Sequence, residues 1–438
     1  MVTDATRPSD HGGTDAGPPV HYDFSTNAHP LGPPPAVLDA VLAADRQRYP
    51  DPTYTALRAH LADWHAVSAD RVLPTAGGAE AIRRISLAAL LAGVTRVCVP
   101  QPGFGDYQVA ALTLGLAVVG YRNRQELVQT MDRPCLVWIC DPCNPTGSTL
   151  NAADWAALDE AQRASGSHVV VDQAYEPLRL RGASSLPPSQ ADRLWRLICP
   201  NKALGLTGVR AAYLLAPVVD DWRPRVQSLA ASWVLSAEGE ALLRAWAQSE
   251  VQEELAESHR VLLEWVQDQQ LRLATWGFEA LAGSVTPFWM ARLPELDART
   301  DLDLDPALDL NLDLGAVRQL VLPTPPPSAT PPSPPSPSPS PSPIAPPPPA
   351  AIPAMQPARL LPTTPAALLQ ALRLHGIKLR DASSFGYPGW VRLSVQTPQA
   401  LLALMSALHQ VLGPHHVSRR RSEAPSLPPT LDSPEDPA

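Results

Sequence analysis

The chain has 438 residues, 45% of them hydrophobic, which is enough for two or three domains with a large core. Its formal net charge of −9 argues against a protein that binds nucleic acid by neutralising phosphates. Five cysteines disfavour a complete disulfide framework. No apolar run reaches the roughly 18 residues of a membrane span, and the first residues lack the apolar core of a signal peptide. We therefore expect a cytoplasmic protein.

The middle of the chain alternates between helical and strand-like segments. Residues 79–93 have apolar positions at helical spacing. Short and nearly continuous apolar runs are typical of strands that are buried on both faces, and such strands form mostly parallel sheets. We therefore predict an α/β fold. The predicted strands are residues 96–100, 135–140, 168–172, 194–199 and 211–215.

Proline is concentrated in one segment. Residues 323–357 contain 18 of the 52 prolines, interleaved with serine, threonine and alanine, which favours extended polyproline II and leaves little to bury. Just before them, residues 302–314 alternate leucine and aspartate. That alternation is compatible with a strand that has one apolar face, but we favour low-complexity sequence without fixed structure. We predict a disordered linker here.

Polar residues follow the predicted strands directly. Asn144 comes after the strand at 135–140, and Asp172 and Tyr175 come at and after the end of the next strand. Lys202 follows residues 194–199, with Arg210 eight residues later. Because ligands of parallel sheets bind at the carboxyl ends of the strands, we expect these side chains to converge on one crevice.

This set of residue types matches the needs of pyridoxal phosphate. A lysine amine forms a Schiff base with an aldehyde cofactor, and Lys202 is the candidate. Asp172 can keep the ring nitrogen protonated, while Asn144 and Tyr175 can donate to the ring oxygen. The phosphate needs backbone amides at a helix N-terminus and a cation, which residues 75–82, with two glycines, and Arg210 provide.

The ordered set of motifs resembles the class I/II aminotransferase family of fold-type I pyridoxal-phosphate enzymes. Within that family it is most similar to histidinol-phosphate aminotransferases and to the threonine-phosphate decarboxylases of cobalamin biosynthesis. The resemblance implies a large domain of the aspartate-aminotransferase type, with a mostly parallel sheet, and a smaller α+β domain. The segments that carry it are DFSTNAHPLGPPP (23–35), RYPDPTYTALR (48–58), NPTG (144–147), DQAY (172–175), NKALGLTGVR (201–210) and GIKLRDASSFGYPGWVRLSV (376–395).

The resemblance implies a role for each matching position. Lys202, Asp172 and Tyr175 are the implied catalytic groups, with Lys202 bonded to the cofactor and moving the proton. Arg392 is implied to bind the substrate α-carboxylate, and Arg380 a distal phosphate or other anion. The other implied cofactor contacts are Asn144 at the ring oxygen, Phe104 on the ring face, and Gly78, Ala79, Asn201 and Arg210 at the phosphate. Tyr49 is implied to reach the phosphate of a neighbouring subunit, which predicts a homodimer with shared sites.

Three positions depart from the family pattern. Asn201 stands where serine or threonine usually precedes the lysine, and its amide can still donate to phosphate. His29 stands where asparagine is common, and we expect it to contact the substrate. The turn at Gly77–Glu80 has no serine, so one phosphate donor is expected to be missing.

The resemblance and the composition together predict the domain boundaries. The large domain covers residues 50–270, and the small domain combines 21–49, 271–298 and 364–414. Between its last two parts lies the linker, 299–363. Residues 1–20 and 415–438 are predicted to be disordered.

Three functions remain open on the sequence. We favour an aminotransferase that acts on a small amino acid or amino-phosphate. Local likeness in DFSTN (23–27) and RDASSF (380–385) favours a threonine-phosphate decarboxylase instead. The third alternative is a non-catalytic, cofactor-binding interaction protein with the proline-rich segment as its docking arm.

One further motif carries no predicted site. Cys140 and Cys143 form a C-x-x-C pair, but no second pair accompanies it, so we predict no metal site. The function that we expect therefore needs an organic cofactor and a small-molecule substrate, without a metal, nucleic acid or membrane.

Overall fold

The computed structural model describes residues 11–296 and 361–413. Residues 1–10, residues 299–360 of the predicted linker and the predicted tail from residue 415 lie outside the described residues. The strands are β1 (Tyr22–Asp23), β2 (Val72–Thr75), β3 (Arg96–Pro100), β4 (Ala117–Tyr121), β5 (Leu136–Cys140), β6 (His168–Asp172), β7 (Trp195–Ile198), β8 (Ala212–Leu215), β9 (Glu279–Ala280), β10 (Phe288–Arg292), β11 (Ile377–Lys378), β12 (Arg380–Asp381) and β13 (Trp390–Ser394). The helices are α1 (Pro35–Leu42), α2 (Thr55–His65), α3 (Gly78–Leu91), α4 (Gly105–Thr113), α5 (Arg124–Thr130), α6 (Ala152–Ser165), α7 (Pro188–Ala191), α8 (Arg223–Ser228), α9 (Ala237–Trp246), α10 (Ser249–Ala274), α11 (Pro365–Leu374) and α12 (Pro398–Leu412).

A seven-stranded sheet forms the centre of the molecule. Its strand order is β2-β8-β7-β6-β5-β3-β4, and β8 alone among these seven runs in the direction opposite to the others. The interior strands are buried along their length, which explains their continuous apolar runs. The α/β fold with a mostly parallel sheet that the sequence predicts is confirmed.

Local sequence signals set the ends of the helices that surround this sheet. The α6 helix begins with a capping box, in which the Asn151 side chain accepts from the backbone of Asp154 and the Asp154 side chain accepts in return. Helices α11 and α12 each begin with a threonine cap, Thr364 and Thr397, followed by proline. The α3 helix begins after Gly77, whose φ of +86° favours glycine.

Two smaller sheets accompany the central one. Strands β12, β13, β10 and β9 make an antiparallel sheet, in which Arg380 lies directly opposite Arg392. Strand β1 pairs in parallel with β11, so that Tyr22 lies opposite Ile377. Residues more than 350 positions apart therefore meet, and they bring both arginines to the central sheet.

Residues 11–20 differ from the disorder that the sequence predicts for residues 1–20. The Asp15 carboxylate accepts hydrogen bonds from Arg373 at 2.6 and 2.9 Å and from Lys378 at 2.7 Å. The cations that hold this polar and glycine-rich segment come from the far end of the chain. Composition alone therefore gives no sign that the segment is ordered.

No helix within residues 11–296 and 361–413 is both long and apolar enough to cross a membrane. The division of the chain into a large and a small domain near residue 270 stays a prediction.

Candidate active site

The polar residues that follow the strands line one cavity of about 970 Å³. It lies where β5, β6 and β7 end, next to the N-terminus of α3. The predicted site residues that line it are His29, Gly78, Ala79, Phe104, Asn144, Asp172, Tyr175, Asn201, Lys202, Arg210, Arg380 and Arg392. The structure therefore brings together every predicted site residue except Tyr49.

Lys202 lies in the middle of the set. Its amino nitrogen is 5.2 Å from the centre of the Tyr175 ring, and its backbone carbonyl accepts a hydrogen bond from the amide of His29. Burial by itself lowers the pKa of Lys202, but the Tyr175 hydroxyl and the Cys199 and Asp172 groups outweigh it, so the pKa is raised overall. The amine must therefore lose a proton before it can bond to a carbonyl carbon.

Asp172 is buried at the end of β6 and is held by a residue that the sequence analysis missed. The Tyr107 hydroxyl donates to the Asp172 carboxylate at 2.6 Å, and the amide of Ala174 donates at 3.0 Å. Burial raises the pKa of Asp172, while the Tyr107 hydrogen bond and the Lys202 charge oppose that rise. The Tyr107 ring stacks on Trp138 at 4.9 Å, which fixes its direction. The sequence offers only a weak signal for it, since Tyr107 follows Phe104, the residue before α4, by three positions.

Between β2 and the start of α3, the backbone of Gly77 and Gly78 lies close to the side chain of Arg210, and we call this the phosphate surface. A Cβ on Gly77 would lie 2.7 Å from the Arg210 guanidinium, and a Cβ on Gly78 would lie 2.9 Å from Cys199 Sγ. Both glycines therefore permit a close approach that any other residue would allow only after one of these side chains had shifted. The amides at the start of α3 and the charge of Arg210 together suit a phosphate group.

Two buried amide side chains in the cavity have oxygens without a hydrogen-bond partner among the described residues. They are Asn27 Oδ1 and Asn201 Oδ1, and the other end of Asn27 donates to the Tyr175 hydroxyl at 3.3 Å. Buried polar groups are normally paired, so these groups are available to a bound molecule. With the phosphate surface, the buried carboxylate and the lysine, the residues present fit pyridoxal phosphate.

The two arginines lie side by side at the other end of the cavity. Both are buried, 3% and 5% exposed, and both guanidinium groups lie over the Phe385 ring, at 4.9 Å for Arg380 and 5.9 Å for Arg392. Arg392 donates to Asn144 Oδ1 and to the carbonyl of Ser25. Two fixed, desolvated guanidinium groups make a binding surface for a molecule that carries two anionic groups.

His29 is held in one tautomer and is neutral near pH 7. Its Nε2 lies 2.8 Å from the Ser258 hydroxyl, which itself donates to the carbonyl of Leu255, so Nε2 carries the proton. The Nδ1 atom then accepts from the amide of Leu31. Burial first, and the charge of His259 second, lower the pKa of His29 to about 4. It offers the cavity an uncharged ring.

The two predicted aromatic contacts have different positions. Phe104 lines the cavity and meets the Tyr107 ring edge to face at 5.6 Å. Tyr49 is 78% exposed and stacks on Trp233 at 4.4 Å, away from the residues that line the cavity. Within one chain, Tyr49 therefore contributes nothing to the site.

All five cysteines are free, and within the described residues no cluster of histidine, cysteine and carboxylate side chains could hold a metal ion. Cys140 and Cys199 line the cavity. Burial raises the pKa of Cys199 to about 12, so its thiol stays neutral beside Lys202.

Known proteins resemble this chain at the level of sequence. A family model described as aminotransferase class I and II matches residues 21–303. Histidinol-phosphate aminotransferase 1 of Ralstonia nicotianae is 36% identical over 219 residues, which are 46% of this chain and 56% of that protein. The chain thus spans little more than half the length of this curated relative.

Solved structures resemble it at the level of fold. Histidinol-phosphate aminotransferase of Sinorhizobium meliloti, in complex with pyridoxal-5'-phosphate, has a TM-score of 0.63 at 19% identity, covering 93% of this chain and 92% of that one. L-threonine-O-3-phosphate decarboxylase of Porphyromonas gingivalis has a TM-score of 0.61 at 18% identity, covering 88% and 98%. At such identities the likeness concerns the fold alone.

Proposed function

Because the chain belongs to the family of class I and II aminotransferases, we propose that it is a pyridoxal-phosphate-dependent aminotransferase that acts on a small amino acid or amino-phosphate. The observation that carries the proposal is one cavity with a lysine and a buried carboxylate at one end and two buried arginines at the other. The first end suits the cofactor, and the second suits a dianionic substrate.

The positions of the cavity residues support an assignment of the cofactor contacts. Gly77, Gly78 and Arg210 would bind the phosphate, Asp172 would pair with the ring nitrogen, and Lys202 would bond to the aldehyde carbon. Asn144 and Tyr175 line the same cavity and would donate to the ring oxygen, and Phe104 would cover the ring face. When bound, the cofactor supplies an electron sink that stabilises negative charge at the substrate Cα.

The chain's own groups then bind the substrate and move its proton. Arg392 binds the α-carboxylate, and Arg380 binds a second anion such as a phosphate. With both anionic groups fixed, the Cα hydrogen is directed at Lys202 Nζ, which takes the proton and returns it.

A decarboxylase remains the second candidate, because the same two arginines suit an amino acid that bears a phosphate. Which Cα bond breaks depends on which bond lies perpendicular to the ring, and that is a matter of angles. The segment that favours the decarboxylase on local likeness lies at the arginine pair, where the Ser384 hydroxyl accepts from Arg380 at 2.7 Å.

An absorption experiment separates these functions. The purified protein is mixed with pyridoxal phosphate, and its spectrum is recorded before and after adding glutamate, histidinol phosphate or threonine phosphate singly. We expect lasting conversion to the amino form of the cofactor with one of them. Return of the starting spectrum with release of carbon dioxide from threonine phosphate would establish decarboxylase activity and contradict the proposed aminotransferase activity. Binding without turnover of any amine favours the non-catalytic alternative.

We also propose a homodimer with shared sites, in which Tyr49 reaches the phosphate of the neighbouring subunit. Its support is the exposed aromatic pair of Tyr49 and Trp233, which are 78% and 42% exposed. Sedimentation of the protein with cofactor tests the dimer, and Tyr49→Phe tests the contact through a weaker cofactor affinity. A monomer that binds cofactor with unchanged affinity contradicts both. Cytoplasmic location also stays a prediction.

A further inference from the structure

Residues 11–18, which we call the N-terminal strap, form part of the cavity wall. His11, Gly12, Gly13 and Thr14 line the cavity, next to Arg392 and Phe104. The strap precedes the first strand and belongs to no helix or strand. Its place beside the arginine pair means that it bounds the substrate end of the site.

One carboxylate attaches the strap to the fold. Asp15 accepts from both Nη atoms of Arg373, at 2.6 and 2.9 Å, and from Lys378 at 2.7 Å, and it also accepts from the amide of Gly17. Lys378 donates to the carbonyl of Gly13 as well, and Arg373 donates to that of Pro18. Asp15 thus carries the charged part of the connection between the strap and the end of the chain, and the two carbonyls add to it.

The glycines of the strap lie in direct contact with the substrate end. A Cβ on Gly12 would lie 1.9 Å from the carbonyl oxygen of Ser25 and 3.1 Å from the Arg392 guanidinium. That carbonyl is the one to which Arg392 donates, and the amide of Gly13 donates to the Ser25 hydroxyl at 2.9 Å. The strap therefore packs against the backbone that positions the implied carboxylate ligand.

The first described residue of the strap reaches the opposite side of the cavity. The His11 Nε2 atom lies 3.2 Å from the Asp106 carboxylate on α4, and the His11 ring lies 5.3 Å from the Phe104 ring. The strap thus runs from Arg373 and Lys378 on one side to α4 on the other. It therefore crosses the cavity between the arginine pair and Phe104.

We infer that the strap is a displaceable wall that limits the size of the substrates admitted, and that Asp15 is the positioning residue that holds it in place. The inference rests on the proposed function, since it treats the arginine end as the substrate end. The three hydrogen bonds that Asp15 accepts from Arg373 and Lys378 lie at the surface. Salt or a single substitution can therefore weaken them without disturbing the core. The hydrogen bonds from Arg373 and then Lys378 hold the pKa of Asp15 well below its ordinary value, so the attachment stays intact at ordinary pH.

The first test measures the strap itself. Asp15→Asn keeps the shape of the side chain and removes its charge, and we expect backbone amides of residues 11–18 to exchange with deuterium about fivefold faster. Asp45→Asn is the matched control, because Asp45 is an exposed aspartate that pairs with Arg48 three residues away. Raising the salt concentration to about 1 M should speed exchange in the unaltered protein and leave Asp15→Asn unchanged.

The second test measures access to the cavity. Hydroxylamine and the larger phenylhydrazine both react with the carbonyl carbon of bound pyridoxal phosphate and release the lysine amine. The first gives an oxime and the second a hydrazone, each with its own spectrum, so the ratio of the two rates reports the size limit. Asp15→Asn should raise the phenylhydrazine rate about fivefold and leave the hydroxylamine rate unchanged. Gly12→Ala, which forces the strap away without changing charge, should do the same, and Asp45→Asn should change neither rate.

The outcomes separate the strap from the proposed function. A protein that binds no cofactor refutes the proposed function, while the exchange experiment still tests the strap. Exchange at residues 11–18 that is equally fast in the unaltered protein and in Asp15→Asn overturns the inference. So does a ratio of the two rates that is the same in all four proteins.

Discussion

The two ends of the cavity are built in different ways. At the cofactor end, Asn144, Asp172 and Lys202 follow three adjacent strands of one sheet and come from a continuous stretch of the chain. At the substrate end, Arg380 and Arg392 meet residues 11–29, which lie more than 350 positions away. The first end is set by the order of strands in a parallel sheet, and the second by contacts between distant segments.

This difference indicates which end of the cavity can change its residues without loss of the fold. The groups at the cofactor end are fixed by backbone that is buried on both faces, so a change there threatens the fold. The substrate end is closed by the strap and by side-chain hydrogen bonds, which change without loss of the core. A family with one cofactor and many substrates is expected to divide its cavity in this way.

The largest effect is expected at the cofactor end. The chain contains only two lysines, Lys202 and Lys378. Borohydride reduction fixes the cofactor on the lysine to which it is bonded, so peptide mapping after reduction identifies that lysine and the other lysine serves as the internal control. We expect the label on Lys202 alone, and Lys202→Ala should abolish the label and lower activity by about 10⁴-fold. Lys378→Ala should keep the label. A label on Lys378 in the unaltered protein contradicts the assignment.

A smaller effect is expected from the arginine pair. Arg392→Lys loses the planar fork that reaches both Asn144 and Ser25, so KM should rise about 10- to 100-fold, and cofactor affinity should change much less because the other cofactor contacts remain. Arg292→Lys, on the neighbouring strand and exposed, is the control and should leave KM unchanged. Weaker cofactor binding in Arg392→Lys would show that the two ends are not separate.

Tyr107→Phe tests how the buried carboxylate is held. The lost hydrogen bond to Asp172 should weaken cofactor binding by about tenfold. Because that bond lowers the pKa of Asp172, its removal raises this pKa, and the carboxylate that pairs with the ring nitrogen becomes protonated at a higher pH. As the pH is lowered, Tyr107→Phe should therefore lose its affinity for the cofactor at a higher pH than the unaltered protein does. An unchanged pH profile contradicts this.

The smallest effect is expected at His29. His29→Asn loses the hydrogen bond to Ser258 and should lower the free energy of unfolding by about 1 kcal/mol near pH 7. The folded-state pKa of about 4 lies below the ordinary value of 6.5, so the contribution of His29 is present above pH 6.5 and is lost as the pH falls toward 4. Urea unfolding at several pH values measures both effects, and the difference between the proteins should shrink in acid.

Ser258→Ala is the matched control for His29→Asn. It removes the other half of the same hydrogen bond. The doubly substituted protein should therefore be at most about 0.5 kcal/mol less stable than either single variant. Fully additive losses would show that the bond contributes nothing and that each side chain acts through other contacts.

The sequence predicts the cofactor end well because strand ends in a parallel sheet carry the functional residues. All five predicted strands of the central sheet are present, whereas β2 and β4 are missed. Those two are its edge strands: β2 is buried but has only four residues, one of them Pro74, and β4 is only half-buried, so neither shows the long apolar run of an interior strand. Tyr107 was missed because an aromatic residue on an apolar helix face does not reveal which polar group it meets.

The substrate end is less predictable for a physical reason. Arg380 and Arg392 were predicted only through a family resemblance, and their shared register across β12 and β13 appears in no local pattern. Residues 11–18 look disordered because they are polar and rich in glycine, and the cations that order them lie in α11 and β11. Long-range charge pairing has no periodicity from which it can be read.

The parallel pairing of β1 with β11 also has a consequence for how the protein is made. The seven strands of the central sheet lie between residues 72 and 215, whereas β1 must wait for residue 377 before its partner exists. At ordinary rates of synthesis that interval is on the order of ten seconds, which is long compared with the folding of a domain. A nascent chain on the ribosome can therefore present a formed sheet and a cofactor site before it has any means of holding a substrate.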